Sequence, residues 1–421
     1  MHIALQILIG LATIPLFLLA LAKIPLLVIL AIFGGAFFLL SKQQQYRVFS
    51  INFLIFFALI FLIEVFFAAD HGLYKFKRRN DKLHLNVIDL ITNKEYSKES
   101  DYFTIRYPSI GYGPRSNAEI EAKKHRRGKD IYDVVYTINK HGLRHSGGVE
   151  INDPVLFFGG SFTYGEGVND SETMPYIFTQ SSKGKYQGYN FGFHGYGPQQ
   201  MLGALEGEVE KEIIADKKPK YVVFQTILDH IKRAATTADV QSWSRYETSP
   251  KYYLDENDEV QYFGTVQEYI NSLPKRAYSK KEQYILDIKK NAKSYFIDHI
   301  YAENRIIAKI EGNKATLNNR DADLYLNIIA KARDIVKERY EAEFKVILWD
   351  VRHDDGKLKL EDDNQFLDYV KTGLSERNID YSLISDIMPN YDRRPYSIPK
   401  DGHPSVIAHQ KIAEFLLQEM E

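Results

Sequence analysis

The sequence predicts an α/β fold: a parallel β-sheet flanked by helices, preceded by apolar segments long enough to span a membrane. Three observations point that way. From Val155 onward, short apolar runs alternate with stretches of helical periodicity, and this alternation builds a parallel sheet covered on both faces. The first seventy residues are a different material, dominated by long apolar runs. Between the two regions, the run Val155 to Phe158 leads into Gly159-Gly160-Ser161, the composition of a sharp turn at the end of a buried strand.

The N-terminal region divides into three runs. Ile3 to Leu40 is almost wholly apolar and is broken near Lys23-Ile-Pro25, and Ile51 to Ala69 comes next with a single acid, Glu64. Each run is about 17–20 residues, close to the length of a bilayer-spanning helix. No Lys or Arg precedes the first run, which argues against a cleaved signal peptide. Three membrane helices are therefore expected over residues 1–70, with Glu64 near the interface. The bilayer is the first expected partner. Lys75, Lys77, Arg78, Arg79 and Lys82 lie just beyond the third run. As flanking charge, they would hold the adjoining large domain in the cytoplasm. At the head of such a domain, however, charges report topology poorly.

Residues 71–150 read as a linker and a β-rich lead-in. Leu83 to Ile88 and Asp133 to Ile138 are strand-like, with turns at Asn139-Lys-His-Gly142 and Ser146-Gly-Gly. The next domain is expected over residues 151–421. Its strands are expected at 155–158, 187–191, 220–226, 344–349 and 379–383. Its helices are expected at about 171–181, 198–213, 322–340, 362–377 and 405–420. An insertion at about 240–320 interrupts the rhythm. Within it, Tyr252 to Phe263 reads as a hairpin turning at Asp255-Glu-Asn-Asp258. Ile285, Ile288, Ala292, Tyr295, Phe296 and Ile300 recur at helical spacing.

Composition excludes several classes. There is no cysteine among the 421 residues, so disulfides, thiolate zinc sites and a cysteine nucleophile are absent. A net charge of −1 supplies no field for nucleic acid. A serine in a glycine-rich turn is by itself an ordinary turn residue, and its hydroxyl is a weak nucleophile without a base. Asp401-Gly402-His403-Pro404 offers that base, with an acid beside it. In parallel sheets ligands bind at the carboxyl ends of strands, where both Ser161 and His403 are expected.

These blocks together resemble the SGNH (GDSL-like) hydrolase superfamily. Gly160-Ser161-Phe-Thr-Tyr-Gly165 resembles its nucleophile block, with Gly159-Gly160 where Gly-Asp is usual. Tyr189-Asn190-Phe-Gly192-Phe-His-Gly195-Tyr-Gly-Pro198 resembles the second block, and Asp401-Gly-His403-Pro404 the last. Thr137 to Arg144 is similar to a segment often found upstream. The resemblance spans roughly residues 130–420 and implies a flavodoxin-like sheet, the SGNH hydrolase fold. It implies Ser161 as nucleophile, His403 as base and Asp401 as its orienting acid. It also implies the amides of Ser161 and Gly195 as oxyanion donors, and neither cofactor nor metal.

Two departures stand out. The third block usually carries an Asn that donates to the oxyanion; here Leu228 stands there, followed by Asp229 and His230. Leucine donates nothing, and loss of one such donor costs about 10²–10³ in rate. Gln225 and His230 are the polar substitutes within reach, and Asp229 and His230 are carried as substrate or third-block residues. Asp401 and His403 are also separated by Gly402 alone, where two residues are usual. Joined to the apolar N-terminal runs, which it does not cover, the resemblance implies a membrane-anchored serine esterase or O-acyl(acetyl)transferase acting on an acylated small molecule or cell-envelope polysaccharide, with its domain outside the cytoplasm. The departures keep open a degenerate carbohydrate-binding or assembly subunit.

Overall fold

Alternation along the parallel strands decides the architecture, because successive side chains must enter cores on opposite faces. The computed structural model describes residues 95–98, 103–105, 107–126, 129–148, 153–215, 217–237, 240, 246–273, 287, 317–354, 357–360 and 364–420. It also describes positions 51, 55, 59, 62 and 66. The chain divides into two compact units. One holds 1–92 and 275–313; the other holds 93–274 and 314–421.

The larger unit is built on five parallel strands: β1 (Asp153–Gly159), β2 (Tyr186–Asn190), β3 (Tyr221–Ile227), β4 (Glu343–Trp349) and β5 (Asp380–Leu383). Their order in space is β5-β4-β3-β1-β2. That is the flavodoxin-like order, whose switch point lies between the first and third strands. Register is set by pairs such as Leu156 with Val222 and Phe224 with Val346.

Leu156, Phe158, Val222, Phe224, Val346 and Leu348 face one core. Helices α3 (Pro198–Glu206), α4 (His230–Ala235), α5 (Asn319–Tyr340) and α6 (Leu367–Glu376) cover it. Val155, Phe157, Val223, Ile347 and Trp349 face the other. There α2 (Met174–Ser181) and α7 (Val406–Glu419) pack.

The lead-in strands Ala118–Arg126 and Lys129–Ile138 pair antiparallel. Their Ile120, Ala122, Tyr132, Val134 and Tyr136 belong to the first core. Arg144 bridges Ile138 and Asn190, so this hairpin is tied to the edge of the parallel sheet.

One expected helix is split. Residues 198–213 form α3 and a second helix, Val209–Ile214, separated at Glu208 with φ 54°. α3 ends at Gly207, and Glu208 turns left-handed before the next helix; a Cβ on Gly203 or Gly207 would collide with Ser109, which packs against both. The expected hairpin forms from Pro250–Leu254 and Val260–Thr265. The helical stretch expected over 280–310 and the strand at 83–88 lie outside the described residues.

The expected span Ile3–Leu40 likewise lies outside them. Of the third run, Ile51, Ile55, Leu59, Leu62 and Phe66 are helical and exposed. Among the described residues no helix is long and apolar enough to cross a membrane.

Candidate active site

The chain leaves β1 through two glycines because the turn has no room for side chains. Gly159 sits at φ 154°, and a Cβ there would collide with Thr163 Oγ1 and the Gln225 carbonyl. At Gly160 a Cβ would press on Arg233 Nη1, the Tyr196 carbonyl and His230 Nε2 at 2.9, 3.0 and 3.1 Å. Ser161 then opens the single-turn helix α1 (Ser161–Tyr164), which closes on Gly165 at φ 85°.

Arg144 holds this turn from below. Its guanidinium is buried and donates to the carbonyls of Tyr164, Gly165 and Val168 and to Asp170 Oδ1. It also lies 4.3 Å over the Tyr136 ring and 4.9 Å over the Tyr164 ring. Asn190, at the end of β2, donates from Nδ2 to the Thr163 carbonyl and accepts from the Gly192 amide. The second sequence block is thereby tied to the nucleophile turn.

His403 Nε2 lies 2.9 Å from Ser161 Oγ, and His403 Nδ1 lies 2.6 Å from Asp401 Oδ1. Residues 242 positions apart thus form one hydrogen-bonded relay. The one-residue spacing works because Gly402 adopts φ +101°. That turn lets Asp401 Oδ1 accept from both the backbone amide and Nδ1 of His403. Asp401 Oδ2 accepts from Lys124 Nζ at 2.8 Å. Phe162 stands edge-on to the His403 ring at 5.5 Å and to Trp349 at 4.9 Å, bracing the imidazole from the side.

Gly402→Ala is expected to leave space for its methyl group, since the nearest atom is His353 Cγ at 3.5 Å. It strains the backbone by about 1–3 kcal/mol. The expected result is a slower reaction at Ser161, about tenfold for each 1.4 kcal/mol lost from the relay, read as the rate of labelling by a fluorophosphonate.

Burial works against the Asp401 charge, but the hydrogen bond and charge of His403, joined by Lys124, hold its carboxyl far below the usual range. Burial also works against charge on His403. The carboxylates Glu166 and Asp401 outweigh it and push the imidazole up.

Glu166 is the site residue that sequence reasoning missed. Its Oε2 lies 2.6 Å from His194 Nδ1 and 3.2 Å from His403 Nε2. The available signal was a lone acid between Gly165 and Gly167, five residues after the serine.

The turn carrying Gly195, at φ 74°, packs on the same glycines: the Phe193 amide donates to the Gly159 carbonyl. Among the described residues neither the Ser161 nor the Gly195 amide has an acceptor, which suits two oxyanion donors.

The third-block residues separate. Asp229 pairs at the surface with Lys232 at 2.9 Å and Arg233 at 3.5 Å, away from the relay. Leu228 is buried. His230 is buried beside Gly160, with Nδ1 3.0 Å from Thr226 Oγ1. Burial, then the Arg233 charge, press its imidazole well below the ordinary value and keep it neutral. Gln225 turns beneath the nucleophile and accepts from Thr163 Oγ1.

Glu166, Asp401 and His403 offer three ligand atoms within 4.8 Å of one another. Asp401 and His403 already bond each other, and Lys124 sits against Asp401.

The sheet order and this relay define a class: a flavodoxin-like α/β domain with a Ser-His-Asp relay at the carboxyl ends of its strands. No family model matches the sequence, and no curated protein matches it. Among solved structures, the chain is similar to a GDSL-like lipase from Bacteroides thetaiotaomicron. The two are 14% identical over 65% of this chain and 92% of that one, with a TM-score of 0.29. It is also similar to an acetyl xylan esterase from Geobacillus stearothermophilus, 15% identical over 65% of this chain and 97% of that one, TM-score 0.30. A third is a member of the lipolytic protein G-D-S-L family from Veillonella parvula: 11% identity, 63% and 96% coverage, TM-score 0.29. The side-chain geometry, and not these likenesses, carries the chemistry.

Proposed function

We propose that the protein is a membrane-anchored serine ester hydrolase or O-acyltransferase that works through an acyl-Ser161 intermediate on an acylated cell-envelope glycan. The observation that carries this reading is the unbroken relay from Ser161 Oγ through His403 to Asp401, at 2.9 and 2.6 Å. These are distances at which a base takes a hydroxyl proton.

Ser161 Oγ attacks the ester carbonyl carbon while its proton passes to His403 Nε2. The carbonyl oxygen becomes an oxyanion facing the amides of Ser161 and Gly195. The C–O bond to the leaving alcohol breaks, and that oxygen takes the proton from His403. Water or an acceptor hydroxyl then gives its proton to His403 as its oxygen attacks the acyl carbon. Ser161 leaves and recovers the proton. Asp401 holds the imidazole in place and balances its transient charge. Water as acceptor makes the enzyme a hydrolase; a sugar hydroxyl makes it a transferase.

The anchor rests on the apolar N-terminal runs and on Ile51, Ile55, Leu59, Leu62 and Phe66, which are helical and exposed. Exposed apolar side chains of this kind fit lipid. An exported domain fits an envelope substrate.

The test is labelling of the intact chain by a fluorophosphonate. Ser161→Ala labelling as well as wild type would argue decisively against the reading. A C-terminal reporter fusion reads the side of the membrane, and a cytoplasmic signal would refute export. Buried Leu228 favours the second reading, a non-turning-over carbohydrate-binding subunit. Ester hydrolysis abolished by His403→Ala would exclude it.

A further inference from the structure

The three-residue relay makes no use of Glu166, although its carboxylate is placed with care. It stands in the turn of the nucleophile itself. Its amide donates to the Ser161 carbonyl at 3.0 Å, as that of Gly165 does at 2.9 Å. Gly165 and Gly167, at φ 85° and 84°, bend the chain on either side. Arg144 holds the Gly165 carbonyl, and Tyr136 Oη accepts from the Gly167 amide at 2.9 Å. The side chain of Glu166 is 14% exposed and that of His194 11%, so solvent screens the charge only weakly.

We propose that Glu166, oriented by His194, is a second carboxylate acting on His403, by its charge beside Nε2 where Asp401 acts by a hydrogen bond at Nδ1. The proposal rests on the Ser161–His403 reading above. When Ser161 gives up its proton, the new Nε2–H lies on the Ser161 side, and Glu166 Oε2 stands 3.2 Å from Nε2 as an ion-pair partner. Glu166 acts through its charge and takes no proton; the proton goes on to the leaving oxygen. The imidazolium is thus flanked by a carboxylate on each ring nitrogen, which makes His403 a stronger base. The consequence is a site that closes in acid, when Nε2 carries a proton stabilised by the Glu166 charge and cannot accept from Ser161.

The charged and titratable groups around this pair come from several elements. Lys124, on the antiparallel hairpin, acts on Asp401. Tyr136 and Arg144 lie beneath the nucleophile turn. His194 faces Glu166, and His353 stands beside Gly402. His409, behind the site, is kept neutral by burial, with the charges of Arg144 and His403 adding to the effect. Of these, only Glu166 and Asp401 carry negative charge to His403. Its imidazole is raised, so reactivity is present above that value and is lost as pH falls through it.

The experiment is the pH dependence of the fluorophosphonate labelling rate in the full chain, wild type against Glu166→Gln, with unfolding midpoints read alongside. Glu166→Gln is expected to move the acid limb to lower pH. It should also lower the plateau rate by about tenfold, short of the 10²–10⁴ that a whole general base contributes. Glu166→Asp is expected to lie between the two. An acid limb unmoved in a folded Glu166→Gln protein overturns the proposal. If that variant does not fold, Glu166→Asp decides alone, since its carboxylate is withdrawn from Nε2; a limb coincident with wild type overturns the proposal. Wild type that never labels refutes the serine-hydrolase reading instead, which separates the two failures.

Discussion

Ser161→Ala is expected to abolish fluorophosphonate labelling and to lower ester turnover by about four orders of magnitude or more, with the fold unchanged. The size comes from the relay. A Ser-His-Asp set acts as a unit, so removal of the nucleophile costs nearly as much as removal of the whole set. Ser161 is buried at 9% relative exposure, and its hydroxyl bonds His403 Nε2. Alanine therefore removes one hydrogen bond and leaves no isolated charge, because His403 keeps Asp401 and Glu166. Circular dichroism and the urea midpoint check the fold, and turnover of an activated ester checks the chemistry. Turnover retained by Ser161→Ala would show that the hydroxyl is not the nucleophile.

Arg144→Ala is expected to be the most destabilising single change in the site, by about 3–5 kcal/mol. One buried guanidinium serves the carbonyls of Tyr164, Gly165 and Val168, pairs with Asp170 at 2.9 Å and covers two tyrosine rings. Alanine strips the Val168 carbonyl of this donor, leaves those of Tyr164 and Gly165 with only long bonds from Asn190 Nδ2 and the Val168 amide at 3.4 Å each, and removes the cation beside a half-buried carboxylate. Each orphaned buried group costs about 1–3 kcal/mol, partly recovered if water enters. Arg144→Lys keeps the charge but cannot present a planar fork to several acceptors, so it should recover only part of the loss. Urea unfolding at unchanged slope gives the measurement. Because the same carbonyls shape the Ser161 turn, labelling should also slow in the folded fraction. A variant as stable as wild type would refute this account of the turn.

The sheet was legible because its signals are local. Runs such as Val155 to Phe158 and Tyr221 to Phe224 are apolar on both faces, as a strand buried on both sides must be, and all five expected strands lie within a few residues of those observed. The split at Glu208 was not legible. The left-handed turn at Glu208 follows Gly207, against which Ser109 packs, a contact between segments nearly a hundred residues apart. Ser161, Asp401 and His403 could be named from glycine-rich and aspartate-histidine blocks. Asp229 and His230 were named together, yet only His230 reaches the nucleophile turn. The helix that starts there turns one side chain into the core and the other outward, to Lys232 and buried Arg233.

By itself, then, the sequence determined which segments are strands and helices and which residue types were available to act as nucleophile, base and acid. Periodicity, turn composition and side-chain chemistry are properties of a residue and its near neighbours. The tertiary structure alone decided that Gly402 bends Asp401 back onto His403, that Arg144 holds the serine turn, and that Glu166 comes within 3.2 Å of His403 Nε2. Each of these depends on distances between side chains brought together by the crossing of the strands. A carboxylate acts on an imidazole only within a few ångströms, and chain spacing carries no record of that distance.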